Sequence, residues 1–111
     1  MSFETLPLHD ALLGRIEIDW DTALVWLDLQ AFSEVSESAL PYCLLFRVVT
    51  DFRYSRINEW GPSNSILDAK MLGDEYHIQM QSGDSIFIKA SGYEFRPTNK
   101  IKTNELLVLG N

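Results

Sequence analysis

Residues 15–31 read Arg15-Ile-Glu-Ile-Asp-Trp-Asp-Thr-Ala-Leu-Val-Trp-Leu-Asp-Leu-Gln-Ala31, and their apolar positions recur every second residue. Ile16, Ile18 and Trp20 point one way, and Arg15, Glu17 and Asp19 the other. After a turn at Trp20-Asp-Thr-Ala23, Val25, Leu27, Leu29 and Ala31 share one face, while Trp26, Asp28 and Gln30 share the opposite one. A period of two is the mark of a half-buried strand. Asp21 suits the turn because its carboxylate can accept a bond from the backbone two residues on. The two segments, Ala11–Trp20 and Leu24–Phe32, are close enough to pair as a hairpin.

The same alternation extends outward. Ser33–Leu40 is a polar connection. Pro41 then opens what reads as the longest strand, with Tyr42, Leu44, Phe46, Val48, Thr50, Phe52 and Tyr54 on one face. That length predicts a central strand, bent or bulged partway. Asn58–Ser65 breaks the pattern with the turn residues Gly61, Pro62 and Asn64. Strands follow at Ile66–Leu72, Tyr76–Met80, Ser85–Ala90 and Tyr93–Arg96, separated by Gly73-Asp74, Ser82-Gly-Asp84 and Ser91-Gly92. Glu105–Leu109 is compatible with a last strand or a short helix. The two halves, Ala11–Ile57 and Ile66–Arg96, each read as a meander.

The expected fold is therefore all-β, with antiparallel meanders packed as a sandwich or curled into one barrel-like sheet. The alternative is α+β with one short helix, over Phe3–Leu13 or Ser36–Leu40. At 111 residues the chain is expected to form one domain, 1–111, and such a length buries a core without metals or disulfides. Apolar content of 46% against 23% charged is that of a folded globular protein.

Charge is unevenly spread. The first forty residues hold Arg15 and eight carboxylates, Glu4, Asp10, Glu17, Asp19, Asp21, Asp28, Glu34 and Glu37, which account for the whole net charge of −7. Clustered Lys and Arg, which phosphate backbones require, are missing. Arg47, Arg53 and Arg56 are interleaved with Asp51 and Glu59, so nucleic acid is not the expected partner. The longest apolar run is about five residues, far short of the roughly 20 that span a bilayer, so no membrane is expected. The N-terminus lacks the pattern of a signal peptide. The lone Cys43 cannot form an internal disulfide, sits in a strand-like setting and reads as a buried, inert thiol. A cytoplasmic location follows from these points.

Catalytic chemistry finds little foothold. His9-Asp10 is the one His–Asp pair. It resembles part of the metal site of HD phosphohydrolases, which need further His and Asp residues; the simpler reading is a turn leading into the first strand, with His9 bonded locally. His77 alternates with Tyr76 and Ile78 and belongs on the solvent side of its strand. Two His, one Cys and no CxxC or HExxH argue against zinc. No GxSxG elbow, P-loop or GxGxxG is present. No enzyme activity, cofactor or metal is expected.

Interaction surfaces offer more. Glu17, Asp19, Trp26, Asp28 and Trp60 are the candidate contact residues, since exposed Trp is a favoured anchor at interfaces. Trp26 stands among Asp28 and Gln30, and Trp60 lies in the Gly-Pro turn. Burial of either Trp beneath a loop or in the core is the competing reading.

Leu8-His-Asp-Ala-Leu-Leu-Gly-Arg-Ile-Glu-Ile-Asp-Trp20 resembles the opening of a group of small bacterial β-rich domains that begin Leu-His-Asp and continue as strand, turn and strand. Trp60-Gly-Pro-Ser-Asn-Ser-Ile-Leu-Asp68 resembles a second segment of that group. Some members are immunity proteins of polymorphic toxin systems. The resemblance carries over no functional residue, but it implies a non-catalytic inhibitor, and the acidic N-terminal third suits a basic protein partner. Two other readings stand beside it. One is a small-molecule module with a pocket between the sheets, lined by Phe46, Phe52, Tyr54 and Trp60. The other is a homo-oligomeric domain joined through an edge strand.

Overall fold

The computed structural model describes residues 2–32 and 38–98. Eight strands form two four-stranded antiparallel sheets: β1 (Leu12–Asp19), β2 (Leu24–Ala31), β3 (Leu40–Arg47), β4 (Asp51–Tyr54), β5 (Ile66–Leu72), β6 (Glu75–Met80), β7 (Ser85–Lys89) and β8 (Gly92–Pro97). The first sheet runs β1-β2-β3-β8 and the second β4-β7-β6-β5. The fold is all-β. The helical alternative over Phe3–Leu13 is replaced by one 3₁₀ turn, Phe3–Thr5. Ser36 and Glu37 of the other proposed helix, and the tail segment Glu105–Leu109, lie outside the described residues.

The hairpin forms as its alternation dictates. Val25, Leu27, Leu29 and Ala31 of β2 are all buried, each such side chain contributing roughly 1.5–3 kcal/mol when it is a large aliphatic one. They meet Ile66, Tyr76, Ile78, Ile86 and Ile88 of the second sheet in one continuous core. Phe3 enters this core from the N-terminal turn, edge-on to Tyr76 and Tyr93 at 5.1 and 5.2 Å between ring centroids. The backbone N–H of Met71 donates to Glu4 Oε2 at 3.0 Å. That bond fastens the turn to β5 and holds the Glu4 carboxyl below its usual pKa.

Two expectations are corrected. Pro41–Tyr54 is not one long strand but two, β3 and β4, in different sheets. The break falls at Val48, whose φ of 53° turns the chain. Val49 N–H then donates to the Ala23 carbonyl, and Thr50 N–H to that of Lys89, so the chain passes from the first sheet to the second. The halves are not two self-contained meanders either. β8 returns to pair with β3, Tyr42 opposite Pro97 and Phe46 opposite Tyr93, while β4 pairs with β7. Each sheet thus takes one strand from the other half.

Among the described residues, β1 is an edge strand. Ala11, Leu12 and Leu13 are stitched to Asn64, Ser65 and Ile66, through a bridge between Leu12 and Ser65 and backbone bonds from Leu13 N–H to the Asn64 carbonyl and from Ile66 N–H to that of Ala11. Its register against β2 then shifts between Leu13 and Ile16. Beyond this bulge, β1 leaves the second sheet only partly covering its inner face.

Candidate functional site

Two adjoining hollows follow β1 where the sheets part. The first, about 570 Å³, has an apolar floor of Leu13, Ile16, Met80 and Ile86 and a rim that includes Tyr54, Arg56 and Asn64. The second, about 450 Å³, lies further along the same strand, between Ile18, Asp19 and Trp20 on one side and Val49, Asp51 and Phe52 on the other. Successive inward positions on β1 (Ile16, then Ile18) therefore face successive positions on β4 (Tyr54, then Phe52). Trp20 is 90% exposed and Ile18 57%. Ile18 belongs to the apolar side of β1, as the alternation predicts, and Trp20 lies two residues on in the turn, but the second sheet does not reach over them. Asp19 and Asp51 line this end, Asp51 paired with Arg53 at 3.1 Å, and the exposed Asp21 follows Trp20 in the chain.

Asp84 shapes the first hollow. It is 4% exposed and accepts four hydrogen bonds: from Ile57 N–H at 2.6 Å, Asn58 N–H at 3.0 Å, Ser82 Oγ at 2.7 Å and Ser55 Oγ at 3.0 Å. The Ile57 bond, aided by those from Ser82, Asn58 and Ser55, lowers its pKa from 3.8 to about 2 against the opposing effect of burial. This carboxylate is an ionised anchor for the loop after β4, with its acceptor capacity spent on that loop.

Four of the five candidate contact residues share one surface, the outer face of the first sheet. Glu17 lies directly opposite Trp26, Trp26 opposite Leu45, and Leu45 opposite Glu94. Asp19 and Asp28 sit two residues away along the same face. The surface is mixed in charge. Arg15 pairs with Glu17 at 3.0 Å, and Arg47 and Arg96 both reach Glu94. Trp26 is half-buried, and its indole Nε1 is enclosed with no hydrogen-bond partner among the described residues. Cys43, across from Asp28, is buried.

Trp60, the fifth, lies elsewhere. It is 61% exposed, its N–H donates to the Ser82 carbonyl, and its ring covers Gly83. The pocket expected from Phe46, Phe52, Tyr54 and Trp60 does not form: Phe46 is wholly buried in the core, and Phe52 and Tyr54 line different hollows. The exposed aromatic that sequence reading passed over is Trp20. Its place next to a turn, between Asp19 and Asp21, was the available signal.

His9 has a local contact, with its Nε2 3.6 Å from Asp10 Oδ2, and a distant one as well. Its Nδ1 lies 2.7 Å from the Leu67 carbonyl, while Asp10 accepts a bond from Gln81 Nε2 at 2.7 Å. Together they tie the start of β1 to the second sheet. His77 stands on the outer face of its sheet, stacked on Phe87 at 4.4 Å and 3.1 Å from Ser85 Oγ. Arg53 covers the same ring, 4.9 Å from its centroid. Among the described residues no group of three or more His, Cys, Asp or Glu is placed to hold a metal, and no helix is long and apolar enough to cross a membrane. Compared with protein-family models, curated proteins and solved structures, the chain matches none.

Proposed function

We propose that the chain is a non-catalytic protein-binding domain that meets a basic partner through the turn between β1 and β2. The observation that carries this reading is Trp20, 90% exposed with Asp19 and Asp21 on either side of it in the chain. A large ring held out in water is among the side chains that gain most from a partner's surface. The surrounding carboxylates draw in a cationic surface and speed association. An immunity-type inhibitor, acting in the cytoplasm on a basic toxin, is the role that the resemblance of Leu8–Trp20 and Trp60–Asp68 adds.

The test is capture of a basic partner from the native host, weakened by salt. Trp20→Ala is expected to reduce partner affinity at least tenfold, and joint reversal of Asp19 and Asp21 to Lys to abolish capture. Reversal of Glu17 and Asp28 reports on the outer sheet face instead. If that pair matters and the turn residues do not, the contact lies on the sheet face and the turn reading is wrong. The hollow of about 570 Å³ supports a second reading, a small-molecule module, because its volume falls within the range of ligand sites. A ligand that raises Tm and shifts Ile16 and Met80 resonances would favour it.

A further inference from the structure

We infer that the cleft along β1 receives an extended segment of the partner, about six residues long, which adds as a further strand to the edge of β1 that no strand among the described residues occupies. The inference rests on the protein-binding reading above and names what the partner must present.

Three features of the cleft define that segment. The first is backbone. Among the described residues, no strand pairs with the outer side of β1 from Gly14 to Asp19, because β2 occupies the other side and the bonds to the segment before β5 end at Leu13. β4, across the cleft, likewise has only β7 beside it among the described residues. An unpaired strand edge offers a row of N–H and C=O groups to any extended chain laid along it. Gly14 to Asp19 spans roughly 20 Å at about 3.4 Å per residue, which sets the length of the segment.

The second feature is side-chain period. Ile16 and Ile18 on β1, Trp20 in the turn after it, and Phe52 and Tyr54 on β4 present apolar groups at two-residue spacing to the hollows. A strand added between them places alternate side chains inward, so the segment must be apolar at every second position.

The third is charge. Asp19 and Asp51 line the Trp20 end; Asp51 is paired with Arg53 at 3.1 Å, so the excess negative charge there comes from Asp19 and from Asp21, which follows Trp20 in the chain. Arg56 lines the opposite end, and the carboxylate of Asp84 nearby is already engaged by the loop. The complementary segment therefore carries Lys or Arg at the end that meets Trp20.

The probe is an acetylated hexapeptide with valine at alternate positions, threonine between them and one terminal lysine. It is titrated into the ¹⁵N-labelled chain beside two relatives, one with N-methylated backbone amides and one with glutamate in place of lysine. The parent peptide is expected to shift and protect the amides of Ile16–Asp19 and to change Trp20 emission. N-methylation should cost at least tenfold in affinity and the glutamate exchange severalfold. Ile18→Lys, a change at an exposed position, should abolish binding while leaving Tm unaltered.

Equal binding of the N-methylated peptide overturns strand addition and leaves Trp20 as a plain surface anchor. Absence of any change in the Ile16–Asp19 amides at millimolar parent peptide also overturns it, whatever the capture experiments with whole partner show. The same amides shifting with protein concentration alone would assign the edge to a second copy of the chain, again against the proposal.

Discussion

The indole of Trp60 occupies the space that a side chain at Gly83 would need: a β-carbon built there would lie 3.0 Å from Trp60 Cδ2 and 3.2 Å from Cγ. Gly83 also has a φ of 92°, in the region that glycine tolerates and other residues resist. Gly83→Ala is therefore expected to destabilise the fold by about 1–2 kcal/mol from backbone strain alone, and by more from the clash. Adding Trp60→Ala to that variant should remove the clash component and leave the strain. A double-mutant cycle by urea denaturation separates the two.

Asp84→Asn keeps the shape of the side chain but replaces one acceptor oxygen with an N–H₂ that faces existing donors. Tm should fall, and amide exchange at Ile57 and Asn58 should quicken before that of the core. The pH dependence has a defined sign. The folded pKa of about 2 lies below the ordinary 3.8, so the stability Asp84 contributes is complete above about pH 4 and is lost as pH falls toward 2. The Asn variant should lack this share of acid sensitivity in denaturation curves collected between pH 2 and 5.

Phe3 is wholly buried although it precedes the first strand by several residues. Phe3→Ala is expected to cost about 3–5 kcal/mol, because Tyr76 and Tyr93 each lose an edge-on ring and Phe46 loses a neighbour at 6.3 Å. Removal of residues 2–5 should show a similar loss in chemical denaturation. An unchanged midpoint for either form would contradict this packing.

Val48 is a β-branched residue at positive φ with its side chain 57% exposed, so its strain is offset by little burial. Val48→Gly relieves roughly 1–2 kcal/mol of strain and adds roughly 0.5–1 kcal/mol of unfolded-state entropy. The net expectation is a modest rise in stability, visible as a higher urea midpoint.

The local elements were legible because their signals are local. The burial of Val25, Leu27, Leu29 and Ala31, the bounds of Ile66–Leu72 and the turns at Gly73 and Gly83 all follow from period and turn chemistry. The sheet crossing was hidden by parity. Phe46 and Phe52 are an even number of residues apart and both face inward, so the alternation runs on through Val48 and Thr50 as if one strand continued. No Gly, Pro or Asn marks the turn of the chain there.

Trp20 was hidden for a related reason. An inward-facing position reads the same beneath an opposing sheet and beyond its edge. Phe3 carries no period at all in its polar surroundings. Asp84 has the composition of a turn residue, while its bonds to Ser55, Ile57 and Asn58 depend on a loop nearly thirty positions earlier in the chain.

The pairing of β8 with β3 also governs how the molecule comes into being. On a ribosome, residues 40–47 emerge well before residues 92–97, and at about 5–20 residues per second the gap lasts some seconds. Throughout that interval the side of β3 that β8 will occupy, from Tyr42 to Arg47, is open to any passing strand, from a neighbouring nascent chain or a chaperone. The newborn chain thus has a vulnerable period that the finished fold conceals, and a higher rate of translation would shorten it.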